Sequence, residues 1–147
     1  MLKKVKVTQA ITKKDQSDCF AIRTEVFVEE QGVPKEEELV KEVQTTIHAL
    51  ARINNVPVAT GRLITIDNKN AKIGSMAVKL QYRRIGIASL VLDFLEEKAR
   101  KKGIQNITLE AQEYVKQFYS DRGYSEWGEV FLDVGIPHIK MGKELFH

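Results

Sequence analysis

Runs rich in β-branched residues, some of them alternating between apolar and polar positions, occur at five places along the chain and predict β-strands. They span residues 5–11, 45–53, 56–66, 71–79 and 106–111. Turn signals separate the second, third and fourth runs: Asn54-Asn55 and the sequence DNKN. We therefore predict that these three strands form an antiparallel meander.

Three other segments carry apolar residues at spacings of three and four, the period of a helix with one buried face. The clearest spans residues 86–102 and ends at Gly103. Its apolar face consists of Ile87, Leu90, Val91, Phe94, Leu95 and Ala99. Residues 13–30 are predicted as a helix that can break into two pieces, and residues 113–122 as a third helix. The tail, residues 124–145, predicts one or two further strands.

The predicted order of elements is strand, helix, three strands, helix, strand, helix, strand. Because a helix lies between strands 71–79 and 106–111, these two strands are predicted to run parallel with a right-handed crossover. The fold class is therefore α+β, a mixed sheet with one parallel pair. The 86–102 helix begins at the carboxyl end of a strand, where open α/β sheets tend to bind ligands. We expect one domain over residues 1–147.

Composition narrows the functional classes. The formal net charge is +3, from 23 Lys and Arg against 20 Asp and Glu, and without basic blocks we expect no nucleic-acid partner. Cys19 is the only cysteine, which excludes an internal disulfide and a pair of cysteines at metal-ligand spacing. No apolar run is long enough to span a membrane, and the N-terminus lacks the apolar core of a signal peptide. We therefore expect a cytoplasmic protein with neither a metal nor a membrane partner.

The sequence RRIGIA, residues 83–88, opens the 86–102 helix and has two interpretations. One is an ordinary helix start with solvated arginines. The other is an anion site, because the first turn of a helix leaves backbone N–H groups unpaired and carries a partial positive charge. Gly86 would let an anion approach the backbone, and Arg83 and Arg84 would add mobile positive charge.

The same stretch resembles a motif of the GNAT-type N-acetyltransferases, R/Q-x-x-G-x-G/A, which Arg83, Gly86 and Ala88 match after the preceding IGSMAV. The resemblance implies a GNAT-like acyltransferase fold with a splayed parallel strand pair and helices on both faces. It also implies acetyl-CoA as co-substrate, with its pyrophosphate on the backbone N–H groups of this loop. The residues that it assigns to cofactor binding are Met76, Ala77, Val78, Arg83, Arg84, Ile85, Gly86, Ile87, Ala88, Ser89, Gln112 and Tyr119.

A second motif of this family has an aromatic pair followed closely by Gly-Phe or Gly-Tyr, and it resembles Phe118-Tyr119 and Gly123-Tyr124 here. The resemblance implies that Tyr119 is the general acid that protonates the departing CoA thiolate. We expect a nearly balanced proton transfer, because a phenol and a thiol have similar pKa values. A core-edge aromatic is the alternative role of Tyr119. The resemblance also implies that backbone N–H groups at residues 76–78 bond the acetyl carbonyl and the pantetheine, and the alternative is a buried strand without ligand contact.

The segments IRTEVFVEEQGVP, VPVATGRL and GEVFLDVGIPHIKM extend the resemblance over nearly the whole chain, to a small bacterial subgroup called ElaA-like. In that subgroup a glutamine after the fifth strand, here Gln112, lies near the pantetheine arm. IRTEVF is also similar to the start of acyl-homoserine lactone synthases, but the rest of their pattern is missing.

The sequence leaves the general base open. Many relatives carry a carboxylate on the fourth strand, whereas AKIGSMAVK has none. His138 is the preferred candidate, because an imidazole pKa of about 6.5 suits a base at neutral pH. The other candidates are Glu29, Glu30, His48 and Glu110, with Arg23 as a partner that could orient a carboxylate. Cys19 as a nucleophile is disfavoured, since a lone cysteine on an apolar helix face is usually buried.

We therefore expect an N-acetyltransferase that moves an acetyl group from acetyl-CoA to a small-molecule or peptide amine by direct attack in a ternary complex. The alternative is a catalytically silent GNAT domain that binds CoA or acyl-CoA, which the missing strand carboxylate motivates. An acidic run could attract a cationic amine or be a solvated surface, and it contains Glu36, Glu37, Glu38 and Glu42. A homodimer through the C-terminal strands is left open.

Overall fold

Seven strands pair into one sheet in the computed structural model, which describes residues 4–34 and 46–145. The strands are β1 (Val5–Gln9), β2 (Ile47–Ile53), β3 (Val56–Thr65), β4 (Asn70–Val78), β5 (Asn106–Gln112), β6 (Ser125–Asp133) and β7 (Ile136–Glu144). Their order across the sheet is β1-β2-β3-β4-β5-β7-β6. All neighbours are antiparallel except β4 and β5, so the predicted meander and the predicted parallel pair are both confirmed.

The described chain forms three α-helices, which are α1 (Lys13–Arg23), α2 (Ile87–Lys101) and α3 (Lys116–Ser120). Thr12 begins α1, because its side chain accepts a hydrogen bond from the backbone N–H of Asp15 at 3.0 Å. From α1 the chain continues into a π-helical segment, Thr24–Glu30, which is the break predicted within residues 13–30. None of these helices is long and apolar enough to cross a membrane.

Helices cover both faces of the sheet. Alternate residues of a strand point to opposite faces, so Ala49 and Ala51 of β2 join the core cluster of α2, whereas Leu50 joins that of α1. The buried apolar side chains of α2 are Ile87, Val91, Leu92, Leu95 and Ala99. Burial of a large apolar side chain is worth roughly 1.5–3 kcal/mol. The position of α2, and of the loop that begins it, is therefore strongly determined by the core.

The two parallel strands diverge after three paired residues. Asn70, Ala71 and Lys72 of β4 pair with Asn106, Ile107 and Thr108 of β5, and beyond these positions the two strands are no longer paired with each other. A bulge lies in the diverging part of β4, where two residues, Ser75 and Met76, face the single residue Gly61 of β3. Ser75 has a φ of 49°, and such a bulge bends its strand. The result is a wedge that opens toward the carboxyl ends of β4 and β5.

The C-terminal third differs most from its prediction. The helix predicted over residues 113–122 is a 3₁₀ turn, Glu113–Val115, followed by the five residues of α3. The tail forms two strands of nine residues each, and β6 lies at the edge of the sheet. Gly142 of β7 makes room for the ring of Trp127, because a β-carbon at Gly142 would lie 2.4 Å from that ring.

A buried carboxylate ties α2 to the C-terminal strands. Glu96 is 3% exposed, and it accepts hydrogen bonds from the Tyr124 hydroxyl at 2.8 Å and from Lys143 Nζ at 3.0 and 3.2 Å. Burial, and then the negative charge of Glu96, raise the pKa of the Tyr124 hydroxyl. A buried carboxylate needs such partners, because an unpaired charge in a protein interior is costly.

We expect Glu96→Leu to lower the free energy of unfolding by about 1–3 kcal/mol in urea denaturation, because the buried Tyr124 hydroxyl loses its acceptor. Adding Tyr124→Phe should recover part of that loss, since the unsatisfied hydroxyl is then gone. The matched control is Glu97→Leu, on the same helix but with a side chain 57% exposed, which should change stability by less than about 0.5 kcal/mol. A double variant whose loss equals the sum of the two single losses would contradict this coupling.

Candidate active site

A run of free backbone donors lies at the start of α2. Among the described residues, no acceptor bonds the backbone N–H groups of residues 84–89, which we call the donor loop. Arg84 and Gly86 have positive φ angles of 66° and 92°, and Gly86 directly precedes the first turn of α2. Left-handed residues in such a turn aim successive N–H groups into one concavity, which is a geometry that binds anions.

Local sequence explains why the donor loop has this shape. Only glycine adopts the φ of Gly86 without a steric penalty, and α2 adds the positive end of its dipole at the same point. The Ser89 hydroxyl donates to the Gly86 carbonyl at 3.0 Å and so stays within the first turn. The Arg84 side chain is exposed and forms no ion pair with a described residue, which leaves it available to an anion.

Arg83 is held in place, so the prediction that its charge is mobile is wrong. Its Nη1 and Nη2 atoms donate to the two carboxylate oxygens of Glu30, each at 2.6 Å, and its Nε donates to the Val78 carbonyl at 2.7 Å. The bond from Arg83 lowers the pKa of Glu30. A carboxylate with a lowered pKa and both oxygens engaged is a poor general base, so this candidate role of Glu30 is disfavoured.

The β4 wall of the wedge carries the three residues predicted to contact the thioester. Ala77 is buried with the α1 cluster, whereas Met76 and Val78 pack on the opposite face, against the α2 cluster. On one side β4 pairs with β3 up to Val78, and on the other side it has no strand partner beyond Lys72. Backbone groups on that open side are available to a ligand.

The β5 wall ends in a pair of amides. Gln112 Nε2 donates to Gln31 Oε1 at 2.9 Å, and Gln31 Nε2 donates back to Gln112 Oε1 at 3.4 Å and also to the Tyr114 hydroxyl at 3.4 Å. Gln31 follows directly after the π-helical segment. Sequence reasoning missed Gln31, because nothing in its local pattern indicates a partner 81 residues away.

His138 lies beside Gln112, its partner across the β5–β7 pair. Its ring stacks on Phe131 at a centroid distance of 5.9 Å, and its Nδ1 lies 2.7 Å from the Ile136 carbonyl oxygen. A carbonyl oxygen only accepts, so Nδ1 carries the proton and the neutral ring presents Nε2 as its acceptor. No hydrogen bond or ring contact among the described residues joins His138 to Tyr119.

Tyr119 lies in α3 and is buried, with 7% of its surface exposed. Its ring makes edge contacts with Phe118 at 5.0 Å and with Tyr124 at 5.8 Å, and its hydroxyl bonds no described residue. Burial raises the pKa of Tyr119 to about 12. Transfer of this proton to a thiolate of ordinary pKa, about 8.5, is therefore further from balance than for a phenol of ordinary pKa.

The other sequence candidates are engaged elsewhere or exposed. His48 is buried and accepts at Nδ1 from Arg23 Nη2 at 2.9 Å, and Glu110 pairs with Lys72 at 3.3 Å. Glu29 is exposed. Burial raises the pKa of the Cys19 thiol, which disfavours it as a nucleophile. Within the described ranges no group of His, Cys, Asp and Glu could hold a metal ion. The four acidic residues at 36–42 lie outside the described residues.

The burial of Tyr119 has a pH-dependent consequence. Its pKa is about 12 when folded and 10.0 ordinarily, so only the unfolded state ionises between these values. The stability that the neutral, buried phenol contributes is fully present below pH 10 and is lost as the pH rises toward 12. We expect the free energy of unfolding to fall more steeply over this interval in the wild type than in Tyr119→Phe, measured by urea denaturation. Parallel curves for the two proteins would show that Tyr119 is not buried as described.

The comparisons with known proteins agree with this arrangement. The model of the GNAT acetyltransferase domain matches residues 8–145. A Bacillus subtilis protein named provisionally as an acetyltransferase is 34% identical over 142 residues, which is 94% of this chain and 95% of that protein.

Solved structures show the same fold. The crystal structure of Escherichia coli ElaA superposes with a TM-score of 0.85 at 23% identity, and it covers 95% of this chain and 99% of that one. An aminoglycoside 6'-N-acetyltransferase complexed with coenzyme A superposes with a TM-score of 0.75 at 15% identity, covering 95% and 96%. This chain belongs to the GNAT acetyltransferase family.

Proposed function

We propose that the protein transfers an acetyl group from acetyl-CoA to a primary amine of a small molecule or peptide, by direct attack in a ternary complex. The observation that carries this proposal is the donor loop, whose free N–H groups lie where β4 and β5 have diverged. An anionic group on the loop and an extended chain between the strands would match CoA, which combines a pyrophosphate with a pantetheine arm.

The residues present fit acetyl-CoA. The N–H groups of Ile85, Gly86, Ile87, Ala88 and Ser89 would hold the pyrophosphate, with Arg84 adding positive charge. Met76, Ala77 and Val78 would offer backbone groups to the thioester and the pantetheine on the open side of β4, and Gln112 would face them from β5. The aminoglycoside acetyltransferase that shares this fold was solved with coenzyme A, which supports the assignment.

The transfer needs a base for the amine and an acid for the leaving thiolate. We assign the base to Nε2 of His138, since the bond from Nδ1 to the Ile136 carbonyl leaves Nε2 as the acceptor. Tyr119 is the acid, and its raised pKa keeps the phenol protonated at neutral pH. His138 first takes a proton from the ammonium form of the amine, which frees the nitrogen lone pair to attack the acetyl carbon and form the C–N bond. The C–S bond then breaks, the Tyr119 proton passes to sulfur, the surplus proton on nitrogen restores the phenol, and His138 releases its proton to solvent.

The experiment that tests the proposal is calorimetric titration of acetyl-CoA and CoA into wild type and Gly86→Glu. We expect the variant to bind at least about tenfold more weakly, because it places a side chain and a negative charge in the donor loop. Gly103→Glu is the matched control, since Gly103 also has a positive φ, 79°, at the other end of α2, with open space around it. Absence of CoA binding by the wild type would remove the proposal.

An amine panel then separates catalysis from binding alone. The described β4 contains no Asp or Glu, and this observation favours a second candidate, a GNAT domain that binds CoA or acyl-CoA without turnover. In the enzyme, Tyr119→Phe slows acetylation of an accepted amine more than it weakens CoA binding. If CoA binds but no amine in a broad panel is acetylated, the second candidate replaces the first. The cytoplasmic location expected from the sequence stays a prediction.

We propose that the protein forms a homodimer through β6. This strand lies at the edge of the sheet, and every residue of it is exposed. Its exposed large apolar side chains include Trp127, Val130 and Leu132. The register shift between Trp127 and Phe131 leaves residues 130–133 as the part of the edge free to pair, and a second copy aligned antiparallel there would satisfy both edges by two-fold symmetry.

We expect sedimentation equilibrium to show a dimer for the wild type and a monomer for the Val130→Lys, Leu132→Lys variant, because charge on the edge opposes pairing. Ile66→Lys, on another exposed apolar side chain that is 60% exposed, is the control and should stay dimeric. A monomeric wild type at calorimetric concentrations would contradict the proposal.

A further inference from the structure

Two adjacent residues connect the end of the π-helical segment to both walls of the wedge. Glu30 binds Arg83, which follows β4, through two hydrogen bonds of 2.6 Å. Gln31, the next residue, binds Gln112 at the end of β5 through two amide hydrogen bonds of 2.9 and 3.4 Å. Because β4 and β5 are unpaired at this level, these contacts bridge a gap that no strand ladder closes.

The contact through Glu30 reaches the donor loop by a short path. Arg83 directly precedes the donor loop, and its Nε holds the Val78 carbonyl at 2.7 Å while its two Nη atoms hold Glu30. The planar guanidinium has its donors in a fixed fork, so bonds to both partners leave the side chain little freedom. The start of the donor loop is therefore fixed relative to the end of β4.

The contact through Gln31 acts on the opposite wall. The side-chain amide of Gln112 has two N–H donors and two acceptor lone pairs on its oxygen. Gln31 accepts a hydrogen bond from Gln112 Nε2 and donates one to Gln112 Oε1. These two bonds occupy one donor and one lone pair of the Gln112 amide and fix its orientation. One donor and one lone pair remain for a ligand amide in the wedge.

We propose that Glu30 and Gln31 form a clasp that positions both halves of the CoA site: Glu30 orders the donor loop through Arg83, and Gln31 orients the Gln112 amide. The proposal rests on the proposed function, since it assigns positioning residues to the same site. Neither residue of the clasp touches the reacting atoms. Arg83 serves here as an anchor for the loop rather than as a direct ligand of the pyrophosphate.

The first experiment measures the backbone mobility of the donor loop in the ligand-free protein. Its outcome therefore tests the clasp even if CoA does not bind. Backbone ¹⁵N relaxation of the ligand-free protein should show order parameters of residues 84–89 falling toward about 0.6 in Glu30→Gln. Glu25→Gln is the matched control: it removes the same charge from the same segment, where Glu25 only approaches Lys79 at 4.0 Å. Unchanged order in Glu30→Gln would overturn the clasp whatever CoA does.

The second experiment measures binding and separates positioning from charge. Removing a negative charge near an anion site should by itself strengthen CoA binding. The clasp predicts weaker binding in Glu30→Gln, so the two explanations predict opposite changes in CoA affinity. We expect Glu30→Gln to weaken CoA about tenfold by calorimetry, whereas Glu25→Gln leaves it unchanged or slightly tighter. Tighter binding in Glu30→Gln would show that Arg83, once released, is a direct anion ligand, and would overturn the proposal.

A double-variant cycle tests whether Glu30 acts through Arg83. In the Arg83→Gln background, adding Glu30→Gln should produce no further loss of CoA affinity, because the contact is already broken. Losses that add would show that Glu30 contributes by another route and would overturn its assigned role.

The effects of Glu30 and Gln31 should be distinguishable by comparing the affinities of ADP and CoA. ADP carries the pyrophosphate but lacks pantetheine, so Glu30→Gln should weaken both ADP and CoA. Gln31→Leu should weaken CoA alone, and should raise KM for acetyl-CoA with little change in kcat if an acceptor amine is found. Equal weakening of ADP and CoA by Gln31→Leu would overturn the assignment of Gln31 to the pantetheine side.

Discussion

The separation of β4 from β5 is the constraint on which the rest of the structure depends. Backbone N–H and C=O groups that leave a strand ladder must find other partners, since unpaired buried groups are costly. The bulge at Ser75 and Met76 bends β4 in its diverging part. The carboxyl ends of two parallel strands therefore expose backbone groups next to the positive end of α2, a combination that is typical of ligand sites in open sheets and needs no unusual residue.

A wedge of this kind needs support from outside the sheet. The β4 wall packs in the α1 cluster through Ala77 on one face of the sheet, and residues of both β4 and β5 join the α2 cluster on the other face. At the open end the strands are connected by side chains: Arg83 with Glu30, and Gln112 with Gln31. The π-helical segment is thus connected to both walls of the wedge, because Glu30 at its end and Gln31 directly after it make these two contacts.

Burial has two opposite effects on the Tyr119 phenol as a proton donor. It raises the pKa to about 12, which makes release of the proton harder than for a solvated phenol. It also keeps the hydroxyl protonated over the whole neutral range, with no described partner that competes for it. A thiolate that leaves into the same poorly solvated region would be a stronger base than in water, because desolvation raises its pKa too.

Hydrophobic periodicity and turn residues determined the element order, the antiparallel meander and the parallel pair, because these depend on local spacing. For RRIGIA the sequence offered an anion site as one of two interpretations of a helix start, and the glycine pointed to it because the conformation of Gly86 is a local property. The contacts of Arg83 with Glu30 and of Gln112 with Gln31, the burial of Tyr119 and the shortness of α3 emerged only in the tertiary structure. The two side-chain contacts join residues far apart in the chain, 53 positions in the case of Glu30 and Arg83, and no local pattern records such a contact.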